Sequence, residues 1–290
     1  MVLIDDGADF DLVRARARSR RRVMVLVLRI ALAVFIVGAW ELGTHVGCYG
    51  TDTATCAIDK FFFGQPSGIW NQLGIWVTHG TAQGPLWEQV FVTLEETVLG
   101  FVIGVVLGIV FGVLLGRNAL LADIAGPYIK ALNAMPRVVL GSIFIIALGF
   151  DIWSKVALAV VLVFFVVFFN AFQGVREVDR DLLANAAILG ANPRQQFRHV
   201  IMPSALSWII ASLHTSLGFA LVGAIVGEYL GAKKGIGLMI ATAQGTFNAN
   251  GVYAAMLILA IVAVIAEALM TRMEDRVIRW RPNTVTDVKI

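Results

Sequence analysis

The sequence has little charge. Only 15% of its 290 residues are Asp, Glu, Lys or Arg, whereas 58% are hydrophobic, and its mean hydropathy is +0.80. A soluble domain carries about 25% charged residues, and a disordered chain contains few hydrophobic ones, so both classes are excluded. Two cysteines are too few for a scaffold held together by disulfides. The composition therefore predicts a protein that crosses a membrane several times.

The motifs of several enzyme classes are also missing. The sequence contains no phosphate-binding loop G-x-x-x-x-G-K-[ST], no H-E-x-x-H motif and no nucleophile elbow G-x-S-x-G. Its four histidines do not have the spacing of metal ligands. We therefore expect no nucleotide hydrolysis by this chain alone, no metal site and no intramembrane enzyme. The net charge of +3, with basic residues at helix ends, gives no indication of nucleic-acid binding.

Six stretches are apolar enough for membrane helices, which need about 20 residues. They cover approximately 23–42, 96–116, 124–150, 152–175, 205–227 and 252–270. Their hydrophobicity is continuous, whereas the strands of a membrane barrel alternate, so we predict an all-α polytopic membrane protein. The first stretch has no small-residue cleavage site after it and is predicted to be an uncleaved anchor.

The chain is predicted to have three parts. Residues 1–22 form an Arg-rich tail, residues 23–275 form the transmembrane domain, and residues 276–290 form a C-terminal tail. The positive-inside rule places the N-terminal tail in the cytoplasm, because six arginines precede the first span. Six spans then return the C-terminal tail to the cytoplasm. Lys233 and Lys234 fall on the outer side and disagree with the rule.

Both cysteines, Cys48 and Cys56, fall in the predicted outer loop. An oxidising compartment would allow a disulfide between them. Two free thiols are the alternative, because the spacing of two cysteines does not fix their geometry.

The longest predicted inner loop, residues 176–203, is polar but carries regularly spaced apolar residues. The pattern favours short helices that break at Gly190 and at Asn192-Pro193. Such an element has an apolar side to bury and charged surroundings, which suits a docking surface. An amphipathic connector on the membrane surface is the alternative.

The same loop resembles the signature EAA-x3-G-x9-I-x-L-P of binding-protein-dependent ABC importer permeases. Aligned on Gly190 and Pro203, the loop has Ala184, Asn185 and Ala186 at the EAA positions, and Val200 and Met202 at the I and L positions. The glutamate of the signature is therefore replaced by Ala184. Further segments, over about residues 63–280, resemble the sulfonate, taurine and nitrate branch: Gln65-Pro66-Ser67, Pro136-Arg137, Leu148-Gly149-Phe150, Gly174-Val175-Arg176 and Glu228-Tyr229-Leu230-Gly231.

The resemblance implies a type I permease with six transmembrane helices in the plasma (inner) membrane of a bacterium. Its inner loop would be a cytoplasmic coupling helix for a separate ATPase. Its implied partners are an ABC ATPase dimer, an extracytoplasmic solute-binding protein, a second permease copy in a homodimer, and membrane lipid. ATP and Mg²⁺ would bind to the ATPase, and this chain would hold no cofactor. The implied solute is a small organic anion such as a sulfonate, taurine or nitrate, with aromatic acids or vitamin precursors as alternatives. A secondary carrier that acts alone is the competing interpretation.

Four polar residues inside predicted spans are candidates for the translocation pathway. Arg137 follows Pro136 within an apolar stretch, where a charge is costly unless it faces a cavity or a partner. It could bind an anionic solute, or it could extend to the membrane surface. Asn170, His214 and Ser216 could line the pathway or form hydrogen bonds between helices.

Two further patterns concern the outer side and the second span. Glu228, Lys233 and Lys234 are candidates for an outer gate, although a solvated loop with a weak ion pair is equally consistent. Five glycines recur at every fourth position of the second span: Gly100, Gly104, Gly108, Gly112 and Gly116. Small residues at this spacing allow helices to approach closely. We predict that the stripe packs within the chain, and a subunit interface is the alternative.

Overall fold

The computed structural model describes residues 6–46 and 59–277, so Cys48 and Cys56 lie outside the described residues. The described residues are helical and contain no β-strand apart from one isolated bridge between Thr81 and Gly84. The helices are α1 (Asp6–Val46), α2 (Lys60–Phe63), α3 (Pro66–His79), α4 (Leu86–Arg117), α5 (Ala119–Ala134), α6 (Arg137–Leu148), α7 (Ile152–Arg176), α8 (Arg180–Ile188), α9 (Pro193–Gln196), α10 (Met202–Leu230), α11 (Ile236–Gly245) and α12 (Ala249–Val277). A π-helical turn, Phe197–Ile201, joins α9 to α10.

The centre of the bundle is the pair α4 and α7. Each glycine of the α4 stripe faces α7 in the same register, so that Gly104 faces Val163 and Gly108 faces Val167. The two helices therefore run parallel. A Cβ atom on Gly104 would lie 2.7 Å from the Cβ atom of Val163, so the absence of a side chain is what allows this separation. The structure confirms that the stripe packs within the chain.

Helix α10 packs on α7 in the opposite direction. Gly223 of α10 faces Ala159 near the start of α7, and Gly174 near the end of α7 faces Trp208. The bundle therefore has two ends, which we name by one residue each. The Arg117 end carries the last residues of α4 and α7 and the segment α8–α9. The Asp151 end carries the starts of α4 and α7, the end of α10, and α11.

Five helices or continuous helical runs are long and apolar enough to cross a membrane: 23–45, 86–117, 152–176, 193–230 and 249–274. The bent pair α5–α6 supplies a sixth span if both halves are counted together. The polytopic all-α prediction is therefore confirmed. The spans 86–117 and 193–230 begin earlier than the predicted starts at 96 and 205. The first turns of α4 carry buried polar residues, which the hydrophobic pattern does not include, and α10 is continuous with α9.

The third predicted span, 124–150, is not a single helix. Helices α5 and α6 meet at an angle of 91°, and the break falls at Met135 and Pro136. A proline disfavours helical geometry in the residue before it, and Met135 accordingly has an extended backbone with ψ of 138°. Pro136 then caps the start of α6. The local chemistry of this proline converts one long apolar stretch into two half-helices.

Two helices were not predicted from the hydrophobic pattern. Helices α3 and α11 are too short to span a membrane, and both pack at the Asp151 end. Ile236 and Met239 of α11 form a buried cluster with Ala255 and Ile258 of α12, and Trp76 of α3 packs against it.

Substitution of a stripe glycine should disrupt the bundle. In Gly104→Ala, the new methyl group would meet Val163 and the carbonyl oxygen of Val160, at 2.7 and 3.0 Å. Overpacking of this kind costs about 1–3 kcal/mol. We expect a lower melting temperature in detergent, measured by size-exclusion chromatography after heating.

The matched control is Gly218→Ala in α10, where a Cβ atom would meet nothing within 4 Å. Alanine is the better helix former, so this variant should be unchanged or slightly more stable. Equal losses of stability in both variants would contradict the packing role of the stripe.

Candidate functional site

The segment between α7 and α10 is built from local capping interactions. The Asp179 side chain accepts a hydrogen bond of 2.8 Å from the backbone N–H of Asp181 and so begins α8. Helix α8 ends before Gly190, whose φ of +81° is the left-handed conformation that favours glycine. Asn192 and Gln195 then form a capping box at the start of α9. The predicted breaks at Gly190 and Asn192-Pro193 are therefore present.

Helix α8 presents an apolar surface that the described chain does not cover. Ile188 is 82% exposed and Leu189 is 86% exposed, and Leu182 is also exposed. The positions aligned with the signature lie on the same element: Ala184 and Asn185 are exposed, and Ala186 is half-buried. Exposed apolar groups beside charged ones indicate an interaction site, so α8 is a candidate docking surface.

The later positions of the signature lie in a different environment. Val200 belongs to the π turn, and Met202 and Pro203 are the first residues of α10. The sequence pattern suggested a second short helix here, but the helix continues into the membrane span 193–230. The segment is therefore attached directly to α10.

Arg137 is the first residue of α6 and lies at the break in the third span. Its guanidinium group donates a hydrogen bond of 2.9 Å to Oδ1 of Asn133, which joins the two half-helices. Gly141, one turn later, packs near Leu158, which lies six residues into α7. Arg137 precedes Gly141 by four residues, or about 6 Å of helix at 1.5 Å per residue, and so lies farther from the start of α7. Measured along the 25-residue helix α7, Arg137 is therefore close to the middle.

Of the other three pathway candidates, only His214 forms the expected hydrogen bonds between helices, whereas Ser216 and Asn170 bond to the backbone of their own helices. Ser216 is buried and donates to the backbone carbonyl of Ser212 at 2.7 Å. Asn170 donates to the carbonyl of Val166 at 2.8 Å. His214 lies between two carboxylates of α12: its Nδ1 is 2.6 Å from Glu267, and its Nε2 contacts Glu274. His214 therefore connects α10 to α12.

Glu228 pairs with neither of the two lysines beside which the sequence places it. It is fully buried. Its two oxygens accept hydrogen bonds from the hydroxyl group of Thr93 and from the backbone N–H of Gly237, each at 2.6 Å. Lys233 and Lys234 instead pair with Asp151 and Glu88, respectively. The expected local ion pair among these three residues is therefore wrong, whereas their part in an outer gate stays a prediction.

Glu228 contributes to an anchor for the start of α11. The first N–H groups of a helix have no partner within the helix, and here three consecutive ones are bound by side chains of other helices. Oε1 of Gln89 accepts from Gly235 at 2.8 Å, Oγ1 of Thr93 accepts from Ile236 at 2.9 Å, and Glu228 accepts from Gly237. Helix α11 is thereby fixed to α4 and α10.

Sequence reasoning missed Gln89, Thr93, Glu96 and Lys155, all of which are buried at the Asp151 end. Lys155 donates hydrogen bonds to the carbonyl groups of Phe150 and Asp151, at 2.6 and 3.1 Å. The available signal was the spacing of 89, 93, 96 and 97, which places four polar side chains near one face of a helix. The hydrophobic pattern concealed it because the predicted span began only at residue 96.

The exposed pair Lys233 and Asp151 joins the loop before α11 to the start of α7 at 2.8 Å. The hydrogen bond and charge of Lys233 lower the pKa of the Asp151 carboxyl group.

In the part of the chain that the structure describes, no group of three or more His, Cys, Asp or Glu residues could hold a metal ion.

Comparison with known proteins adds a family match. Residues 104–279 match the family described as "Binding-protein-dependent transport system inner membrane component". The chain is 32% identical over 198 residues to the aliphatic sulfonates transport permease protein SsuC of Bacillus subtilis, covering 68% of this chain and 72% of that protein. It is 34% identical over 199 residues to the riboflavin transport system permease protein RibX of Chloroflexus aurantiacus, covering 69% and 74%.

A longer match and two solved structures agree with this result. The SsuC protein of Escherichia coli is 28% identical over 251 residues, which cover 87% of this chain and 90% of that protein. The inward-facing MetNI methionine ABC transporter gives a TM-score of 0.59 at 20% identity, covering 67% of this chain and 96% of that one. An amino acid ABC transporter with histidines gives 0.55 at 20% identity, covering 65% and 92%. At this identity the two structures support the fold.

Loss of one acceptor in the α11 anchor should loosen its attachment. In Glu228→Gln, the amide nitrogen cannot accept a hydrogen bond, so either Gly237 loses its partner or Thr93 keeps only the backbone carbonyl of Gln89, 3.1 Å away, as its acceptor. A buried donor without a partner costs about 1–3 kcal/mol. We expect faster trypsin cleavage after Lys233 and Lys234, measured by mass spectrometry of the fragments.

Glu95→Gln provides the control, since Glu95 lies on the same helix as Thr93 but is exposed. Its cleavage rate should equal that of the unmodified protein. If Glu228→Gln were cleaved no faster than Glu95→Gln, the anchor would not restrain α11.

Proposed function

The chain belongs to the family of binding-protein-dependent transport system inner membrane components, and we propose that it forms the pathway by which an ATP-driven importer moves a small organic anion into the cell. A solute-binding protein on the outer side delivers the solute. The chain itself is a multi-pass ABC transporter permease. The single observation that carries the mechanism is the exposed apolar surface of α8, on a segment continuous with a membrane span.

A separate ATPase supplies the energy. The sequence has no phosphate-binding loop, so ATP and Mg²⁺ bind to the partner, and the permease is not an enzyme. Ile188 and Leu189 offer an apolar surface on which an ATPase subunit can dock. Because α8 is joined through α9 to α10, closure of the ATPase dimer pulls on a membrane helix. The segment 176–203 therefore acts as the coupling element.

The Arg117 end of the bundle faces the cytoplasm in this proposal. It carries Arg117, Arg176 and Arg180, in agreement with the positive-inside rule. The Asp151 end then faces outward, where α11 and its anchor lie nearest to the solute-binding protein. Lys233 and Lys234 disagree with the rule, but each forms an ion pair with a carboxylate, which offsets its positive charge.

Two copies of the chain form the pathway, because each copy contributes one coupling segment and an ATPase dimer presents two docking sites. The importer is thus a homodimer of permeases with two ATPase subunits. The broken span α5–α6 is the element that we place against the pathway, since a discontinuous helix leaves backbone groups free to meet a solute.

An anionic solute is favoured by the chemistry at this break. The N-terminus of α6 carries the positive end of the helix dipole, and Arg137 adds a full positive charge at the same point. Half-helix N-termini bind anionic groups in other transporters. The two SsuC relatives are named for aliphatic sulfonates, so a sulfonate is the first solute to test. The name of RibX makes riboflavin the second.

The docking proposal predicts the effect of a charge on α8. In Leu189→Asp, a carboxylate replaces an apolar group that would be buried against the ATPase, and an unpaired buried charge is costly. We expect the tagged variant to lose the ATPase that co-purifies with the unmodified permease in mild detergent. Quantitative mass spectrometry of the eluate provides the measurement.

Phe247→Asp is the control, since Phe247 is 72% exposed at the Asp151 end, and it should retain the ATPase. If the unmodified permease formed an oligomer alone and moved solute without ATP, the chain would be a secondary carrier. Equal ATPase recovery from both variants would remove α8 from the docking surface.

Arg137 should matter for transport of an anion. In Arg137→Gln, the positive charge is lost while an amide group remains, and hydrogen bonds to charged groups contribute about 1.5–3 kcal/mol. We expect ATP-driven sulfonate uptake into proteoliposomes to fall about tenfold or more. Basal ATPase activity of the complex should be preserved, and Arg137→Lys should retain part of the uptake.

The control is Arg272→Gln at an exposed residue of α12, which tests whether the loss of any one positive charge lowers uptake. Unchanged uptake in Arg137→Gln would exclude Arg137 from the pathway.

A further inference from the structure

The coupling segment contacts the central helix pair through an aromatic ring and a guanidinium group. Arg117 is the last residue of α4, and Phe197 is the first residue of the π turn. The guanidinium carbon lies 3.9 Å from the centre of the Phe197 ring, well within the range of a cation–π interaction. Among the described side chains, Arg117 forms no ion pair. The ring is therefore its specific partner.

The π turn makes the connection between α9 and α10 a weak point. Pro203 has no N–H group to donate to the carbonyl of His199, and its ring crowds that carbonyl. The wider π turn lies directly before it, and the N–H of Met202 bonds to the carbonyl of Phe197. Single π turns inside α-helices are frequent at functional sites. A helix with missing hydrogen bonds at one point bends more easily there.

If the helix bent at the π turn, part of a movement of α8 would be lost there and would not reach α10. A push on α8 reaches the membrane helices along the chain through α9 and the π turn. The Arg117–Phe197 contact offers a second route, because it joins the start of the same turn to α4. Since the glycine stripe holds α4 against α7, a displacement at Arg117 moves both helices.

We propose that Arg117 and Phe197 are positioning residues that pass movement of the coupling segment to the pair α4 and α7, so that this pair and α10 move together. The inference rests on the proposed function, because it concerns the coupling step of the same importer. It adds a second mechanical connection to the one that the continuous helix provides. Both residues act through the helices that carry them and have no contact with the solute.

The test measures the number of solute molecules moved per ATP hydrolysed by the assembled importer in proteoliposomes. Phe197→Leu retains an apolar side chain but removes the ring, and Arg117→Gln removes the charge. We expect each variant to lower the ratio at least threefold while ATPase recovery in the pull-down is unchanged. The double variant should be no worse than either single one, because both remove the same contact.

Conservative substitutions should restore coupling. Phe197→Tyr keeps an aromatic face, and Arg117→Lys keeps a cation, so both should stay close to the unmodified ratio. The matched control is Arg176→Gln, since Arg176 stacks on Phe172, 5.2 Å away, within α7 alone. This substitution removes a cation–π contact at the same end of the bundle, but both residues belong to α7, so no contact between two helices is lost. The number of solute molecules moved per ATP should therefore not change.

A second measurement tests the contact on the permease alone. Spin labels at the exposed Arg194 of α9 and Leu114 of α4, with the native cysteines replaced, report the distance between the segment and the helix pair. We expect Phe197→Leu to broaden this distance distribution, whereas Arg176→Gln leaves it unchanged. Identical distributions in all three proteins would overturn the proposal, whatever the solute or the ATPase.

The two measurements separate the possible failures. If the unmodified complex shows no ATP-dependent uptake, the proposed function fails, and the spin-label distances still test the contact. If uptake is normal and Phe197→Leu retains both its coupling ratio and its distance distribution, the contact has no role in coupling. An equal loss of coupling in Arg176→Gln would also overturn the proposal, because the loss of any cation at this end would then have the same effect.

Discussion

The close contact between α4 and α7 is the constraint on which the rest of the structure depends. In a bilayer the lipid chains are as apolar as the side chains, so helices associate through close packing and hydrogen bonds. The α4 glycines allow this packing over the whole length of the contact and fix its register. That register places Glu96 near the buried Lys155 at one end, and it places Arg117 beside the coupling segment at the other.

The two ends of this rigid pair have different chemistry. At the Asp151 end, buried polar side chains meet the free N–H groups of α11, and every such group needs a partner because unsatisfied polar groups are costly away from water. At the Arg117 end, the α8 segment projects with exposed apolar residues and little packing against the bundle. The first end is suited to holding a fixed shape, and the second is suited to receiving a partner and moving with it.

The broken span and the π turn each lie beside a proline in a membrane helix. Pro136 separates α5 from α6 and leaves Arg137 at a helix start, whereas Pro203 follows the wider turn before α10. Proline removes a backbone donor in each case, but the outcomes differ: Met135 before Pro136 is extended, and Met202 before Pro203 remains helical. In the proposed importer, the first proline shapes the pathway and the second shapes the coupling element.

The all-α membrane fold, the approximate spans and the breaks at Gly190 and Asn192-Pro193 could be predicted from the sequence, because they follow from local hydrophobicity and turn chemistry. The family resemblance followed from short motifs. Which residues contact each other became known only from the packed helices. The tertiary structure paired Glu228 with Thr93 and Gly237, paired Lys233 with Asp151, and brought Arg117 to Phe197. These contacts join residues far apart in the chain, and hydropathy carries no information on which helix faces which. The 91° bend was also beyond prediction, since Pro136 marks a break but does not specify an angle.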